Sequence, residues 1–256
     1  MTNAGMGSHG TSNDDSTKID LLEHGAARNG QPQQSDRRLF IQLVALECPR
    51  SPGTEVCARA LFDALSEEAL PGVVYADVHH PWGLGLVVMS ESADELVSKL
   101  RAALSRPVVP TALRVRSEYA MLGRTYSSGF EPDLEDWLLQ RPRRTLLDPG
   151  NQFGIWYPLR RKGGFERLQP ADKGAIMREH GGIGRAYGEQ NLANDIRLAC
   201  HGLDPNDNDF VIGLLGQELF PLSHVVQAMR RTRQTAEYME KMGPFFVGRV
   251  LYRTPL

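Results

Sequence analysis

The chain has 256 residues, 29 Lys+Arg against 31 Asp+Glu for a formal charge of −2, and is 41% hydrophobic and 23% charged. That balance suits one large soluble globular unit or two small ones, and it lacks the basic excess that non-specific nucleic-acid or anionic-membrane binding needs. Cys48, Cys57 and Cys200 are an odd number with no CxxC pair, which argues against a disulfide framework or zinc module and for a reducing compartment.

Residues 1–36 are rich in Gly, Ser, Asn, Asp and Gln and hold five acids against two bases. Such a segment cannot bury enough apolar surface to offset its ordering entropy, so it is expected to be a disordered tail, His9 and His24 included. It has no basic leader and no apolar core, and no later run approaches the about 18 apolar residues of a membrane span. A cytoplasmic protein without membrane insertion is the expectation.

Arg38 to Leu46 reads as a strand. Ser51 to Glu68 sets Val56, Ala60, Leu61, Ala64 and Leu65 on one helical stripe. Val73 to His79 and Leu84 to Met89 read as strands around a Pro81/Gly83 turn, and Ser92-Ala-Asp-Glu95 is a capping box that opens a helix. Leu113 to Val115 closes the series β-α-β-β-α-β. After a connector over 118–150 the series repeats. Phe153 to Leu159 is a strand and Pro170 to Tyr187 a helix with Pro in its first turn. Strands are expected at Ile196 to Cys200 and Asp209 to Leu215, then one helix from Pro221 to about Met239 and a strand from Phe245 to Tyr252. Two such series predict a duplicated ferredoxin-like α+β fold, residues 37–117 and 151–256, whose antiparallel sheets close into a barrel wrapped by helices.

On the Pro170 helix, Ile176, His180, Ile183 and Tyr187 share a face, which aims His180 inward. It reads either as a satisfied core histidine or as a metal or haem ligand. No HExxH and no Cys/His cluster accompanies it, and His79 and His80 point to opposite faces of a strand. A lone axial histidine suits haem, because the porphyrin supplies the other four ligands. Propionates would need cations, and Arg is the better partner; Arg143, Arg144, Arg160, Arg161, Arg230, Arg231 and Arg233 are available.

Tyr157-Pro158, Met177-Arg178-Glu179-His180-Gly181-Gly182-Ile183-Gly184-Arg185-Ala186-Tyr187, GLDPNDNDFV, Met229-Arg230 with Thr235 and Tyr238, and Gly243-Pro244-Phe245-Phe246-Val247-Gly248-Arg249 stand in order over about residues 140–253. With these motifs the chain resembles the chlorite dismutase family, most of all its branch of coproheme decarboxylases. The resemblance implies a haem oxidoreductase that uses hydrogen peroxide to convert iron coproporphyrin III to haem b. It implies His180 as the proximal iron ligand and Tyr157 as the tyrosine that forms a radical and abstracts hydrogen from a propionate. Arg161 stands where that branch often has Lys and could supply charge but no proton. Arg230 and Thr235 match propionate-binding residues, and Arg143 or Arg144 lies near a further propionate-binding Arg. A homo-oligomer, commonly a pentamer, is implied too.

There are departures. Chlorite dismutases place a distal Arg where this chain has Ala193, with Arg197 a candidate substitute. They pair the proximal imidazole with a Glu where this chain has Arg233. A tryptophan after the Tyr-Pro motif is replaced by Phe165. The alternatives to decarboxylation are therefore chlorite decomposition and non-catalytic haem binding.

Overall fold

Strict alternation in β3 (Phe40–Glu47) sorts its side chains: Ile41, Leu43 and Ala45 enter one apolar core, while Val44 and Leu46 enter another. The structure, a computed structural model, describes residues 19–255. β3 is followed by α1 (Thr54–Glu67), β4 (Gly72–Asp77), β5 (Gly83–Ser90) and α2 (Ala93–Leu104). The N-cap half of the capping box forms, Ser92 Oγ accepting the Glu95 N–H at 3.2 Å, while Ser90 Oγ takes the Ser92 N–H and donates to the Glu95 carboxylate in place of the direct return bond. The closing strand comes in two pieces, β6 (Arg114–Val115) and β7 (Met121–Arg124), and both pair with β3.

The second half runs β8 (Phe153–Arg161), α4 (Pro170–Glu189), β9 (Asn194–Ala199), β10 (Phe210–Gly216), α5 (Leu219–Met229), α6 (Arg233–Tyr238), β11 (Met239–Met242) and β12 (Phe246–Arg253). Among the described residues the strands close in the order β7-β3-β5-β4-β12-β8-β10-β9, with β9 returning to β7 and every pairing antiparallel. Each half keeps the ferredoxin-like strand order, and the second strand of each half meets the last strand of the other. The fold is thus the expected duplicated α+β barrel.

Leu43, Tyr75, Trp156, Ile196 and Phe246 fill the barrel interior. Gly213 makes room there, because a Cβ on it would lie 2.6 Å from Trp156. Outside, α1 and α2 seal the first-half sheet with Cys57, Leu61, Leu65, Leu96 and Leu100. The second-half helices cover Ile155, Tyr157, Leu159, Leu214 and Val247.

Three expectations need correction. Residues 23–35, assigned to a disordered tail, form a hairpin of β1 (Glu23–Arg28) and β2 (Gln31–Ser35). Polar anchors order it: Ala26 N–H donates to the Glu131 carbonyl at 3.0 Å, and Glu23 accepts from Arg124 and Ser127. Residues 1–18, with His9, lie outside the described residues. The connector holds β7 and a helix with a π-helical turn at Asp136–Gln140 that continues as α3 (Arg141–Leu147), whose Leu146 and Leu147 enter the barrel core. The single last helix is two, α5 and α6, broken at Arg230–Thr232, where the Thr232 hydroxyl caps α6. That break shapes the site.

Candidate functional site

The outer face of the second-half sheet is fixed by register. Tyr157 on β8 lies opposite Ile212 on β10, which lies opposite Arg197 on β9, so the three share one row on one face. Ile155, Leu214 and Asp195 form the next row. Arg161 continues the Tyr157 side of β8 two pleats on.

α4 packs along this sheet through Ile176, Ile183 and Tyr187. Only Ile176 of its 20 residues is fully buried, and the helix packs on α5, α6 and β9. A Cβ added at Gly181 or Gly182 would meet nothing within 4 Å. Half-buried His180 sits mid-helix, its Nδ1 3.1 Å from the Thr232 Oγ1.

The tautomer follows from the donor count. Thr232 is 1% exposed and its hydroxyl has one proton, which it donates to the Met229 carbonyl at 2.8 Å. The same oxygen accepts the Thr235 N–H at 3.4 Å. With that proton on the Met229 carbonyl, His180 donates to Thr232 through Nδ1–H, an assignment that leaves Nε2 its lone pair. Burial, then Arg161 and Arg197, push the His180 pKa down to about 4, against Asp195 and Glu179. The imidazole is neutral at ordinary pH and within electrostatic reach of two arginines on the facing sheet.

Tyr157 is 6% exposed and stacks on Phe245 with centroids 4.5 Å apart. Burial raises its pKa, Asp195 adds to that, and Arg230 opposes it. The Arg161 guanidinium lies 4.6 Å from the Phe165 ring and 4.5 Å from the Phe210 ring, and its buried Nε has no partner. Burial lowers its pKa. Phe165 is thus a wall of the arginine's slot. Arg230 is exposed, and its side chain makes no hydrogen bond or ion pair with any described residue. Thr235 lies with its Oγ1 3.4 Å from the Thr232 Oγ1.

Five of the expected residues, Tyr157, Arg161, His180, Arg230 and Thr235, thus share one neighbourhood. Arg143 and Arg144 do not join it: Arg143 pairs with Glu91 at 2.8 Å and Arg144 with Asp136 at 2.7 Å. The α3 arginine that reaches the site is Arg141, paired with Asp195 at 2.7 Å. Two residues along a helix is about 200° of rotation, so Arg141 and Arg143 face opposite ways. Arg197 also pairs with Asp195 at 2.7 Å, and both arginines flank the Trp137 ring. Burial disfavours the Asp195 carboxylate, but Arg197 and Arg141 outweigh it and hold its pKa low. Ala193 is buried against the sheet and presents no polar group to it. Arg233 turns to Glu237 at 3.2 Å, so the residue that meets the imidazole is its neighbour, Thr232.

Sequence reasoning missed Thr232, Arg141, Asp195 and half-buried Tyr126, whose ring meets that of Phe210 at a tilt, centroids 5.6 Å apart. The Thr-Arg-Gln-Thr run at 232–235 carried a capping signal hidden inside an assumed continuous helix.

The donor set fits a metallotetrapyrrole: a neutral half-buried imidazole, Arg161 with a buried, unpartnered Nε, and an exposed Arg230 with no ion pair among the described residues. Among the described residues no group of three or more His, Cys, Asp or Glu could hold a metal by itself.

A model of the chlorite dismutase family matches residues 72–251. No curated protein matches the sequence. Among solved structures, the chain is similar to a heme-binding protein from Thermus thermophilus, at 22% identity and TM-score 0.66, over 84% of this chain and 92% of that one. It is also similar to chlorite dismutase from Candidatus Nitrospira defluvii in complex with imidazole, at 13% identity and TM-score 0.63, over 85% and 93%. At these identities the likeness shows the fold.

Proposed function

The chain belongs to the chlorite dismutase family, whose model spans most of its length, and from that premise we propose a haem-dependent oxidoreductase that decarboxylates iron coproporphyrin III to haem b with hydrogen peroxide. The observation that carries this reading is His180, neutral and hydrogen-bonded through Nδ1, with Nε2 free beside a sheet face that bears a buried tyrosine and arginines.

The bound iron tetrapyrrole supplies the reaction with oxidising power drawn from peroxide. Each propionate loses carbon dioxide and becomes a vinyl group, consuming one peroxide and one proton and releasing two waters. In this reading His180 Nε2 ligates the iron. Tyr157, kept protonated by burial, would act through its Oη as a hydrogen-atom relay: its hydrogen would pass to the peroxide-derived oxidant, the phenoxyl would be restored by a hydrogen from the propionate β-carbon, and the same oxidant would take the second electron as carbon dioxide leaves. Arg161 and Arg230 hold carboxylates, and Thr235 offers a hydroxyl to one. Arg161 fixes charge only, since its guanidinium does not give up a proton at working pH.

Among the described residues no helix is long and apolar enough to cross a membrane. The reading includes a cytoplasmic homo-oligomer, a pentamer by analogy with the family.

One observation favours the runner-up. Arg197 lies in the Tyr157 row of the sheet that faces α4, the side on which chlorite decomposition would need an Arg. Peroxide titration of the iron coproporphyrin complex with mass spectrometry of the porphyrin separates the readings. Loss of two carboxyl groups supports decarboxylation, bleaching alone supports a non-catalytic haem binder, and oxygen release from chlorite supports the runner-up. His180→Ala is expected to lose the axial signature in the Soret region.

A further inference from the structure

The Thr232 hydroxyl is fully engaged: it donates to the Met229 carbonyl at 2.8 Å, accepts the Thr235 N–H at 3.4 Å and stands 3.1 Å from His180 Nδ1, which is the donor once the hydroxyl proton is on Met229. It is buried at the gap between α5 and α6, and it exists as an acceptor only because the chain leaves the helix there. A continuous helix would have tied that segment's N–H groups to carbonyls four residues back and left no capping hydroxyl at this point. Arg233, beside it, is directed to Glu237 and gives its backbone N–H to Glu179 at 3.3 Å. The carboxylates nearest in sequence are thus engaged elsewhere, and a neutral hydroxyl oxygen is what the imidazole meets.

We propose that Thr232 is the positioning residue of the tetrapyrrole site: it locks His180 in the Nδ1–H tautomer, aims Nε2 at the metal, and keeps the ligand a neutral imidazole. The proposal deepens the axial role of His180 and rests on it. A hydroxyl is a weaker proton acceptor than a carboxylate, so the ring gains less basicity, and the iron it binds is held at a higher reduction potential than a carboxylate partner would give.

The test begins with the unmodified apo-protein, which makes it independent of any variant folding. Long-range nitrogen–proton NMR of the imidazole is expected to show His180 protonated at Nδ1 and bare at Nε2; a proton on Nε2 overturns the proposal. With iron coproporphyrin as the probe, Thr232→Ser is expected to bind within about twofold of the parent, and Thr232→Val about 10- to 100-fold more weakly with mixed tautomers. Thr232→Glu is expected to lower the iron(III)/iron(II) midpoint potential. Thr232→Val with unchanged tautomer, affinity and potential overturns the role. An unchanged Soret spectrum in His180→Ala overturns the axial reading and the purpose of Thr232 with it. Intact axial ligation with the wrong tautomer overturns Thr232 alone.

Discussion

The two halves share one plan and spend it differently. α1 buries Cys57, Ala58, Ala60, Leu61, Ala64 and Leu65 and contains no glycine, so the first-half sheet is sealed by aliphatic packing. α4, longer by six residues, buries Ile176 alone and contains five glycines, each costing about 1 kcal/mol of helix propensity relative to Ala. Between α4 and its sheet stand His180, Tyr157, Arg161 and Arg197, where the first half has leucines and valines. Duplication thus lets one half carry stability while the other lays a thinly buried helix over polar groups held by hydrogen bonds and rings.

Activity should separate the halves most. Tyr157→Phe is expected to lower decarboxylation by roughly 100- to 10,000-fold, the range for a side chain that moves a proton, with porphyrin affinity nearly intact. Tyr75→Phe, inside the barrel, should leave turnover unchanged. Equal losses from both would break the division of labour. Stability should separate them the other way. Leu61→Ala, at 1% exposure, is expected to cost about 2–5 kcal/mol in urea unfolding, and Ile183→Ala on α4, only partly buried, well under half of that.

The pH dependence sharpens the contrast. The folded His180 pKa of about 4 lies below its ordinary value near 6.5, so the unfolded chain binds a proton that the native apo-protein does not. This makes stability fall as the pH drops from about 6.5 to about 4, by up to about 3 kcal/mol, with no further contribution below both values. In His180→Asn that part of the slope should vanish from denaturant midpoints measured across the window. The smallest effect is a gain: Gly181→Ala, with free space for its Cβ, is expected to raise apo-protein stability by about 1 kcal/mol.

Periodicity alone was enough for the duplication and for the strand-and-helix order of each half apart from the broken last helix, because strand alternation and helical stripes are local consequences of which side chains avoid water. The motifs over 140–253 brought Tyr157, Arg161, Arg230 and Thr235 into view as a set. The hairpin at 23–35 was illegible because its order comes from hydrogen bonds to Glu131 and Ser127, about a hundred residues away, and not from apolar burial. Arg143 and Arg144 were credited over Arg141 because sequence proximity says nothing about which side of α3 meets Asp195. The partner of the imidazole was also beyond reach: a capping threonine and a helix break look alike in sequence wherever they occur. Only the closure of the barrel, which sets α6 against α4, decides that this hydroxyl meets this histidine.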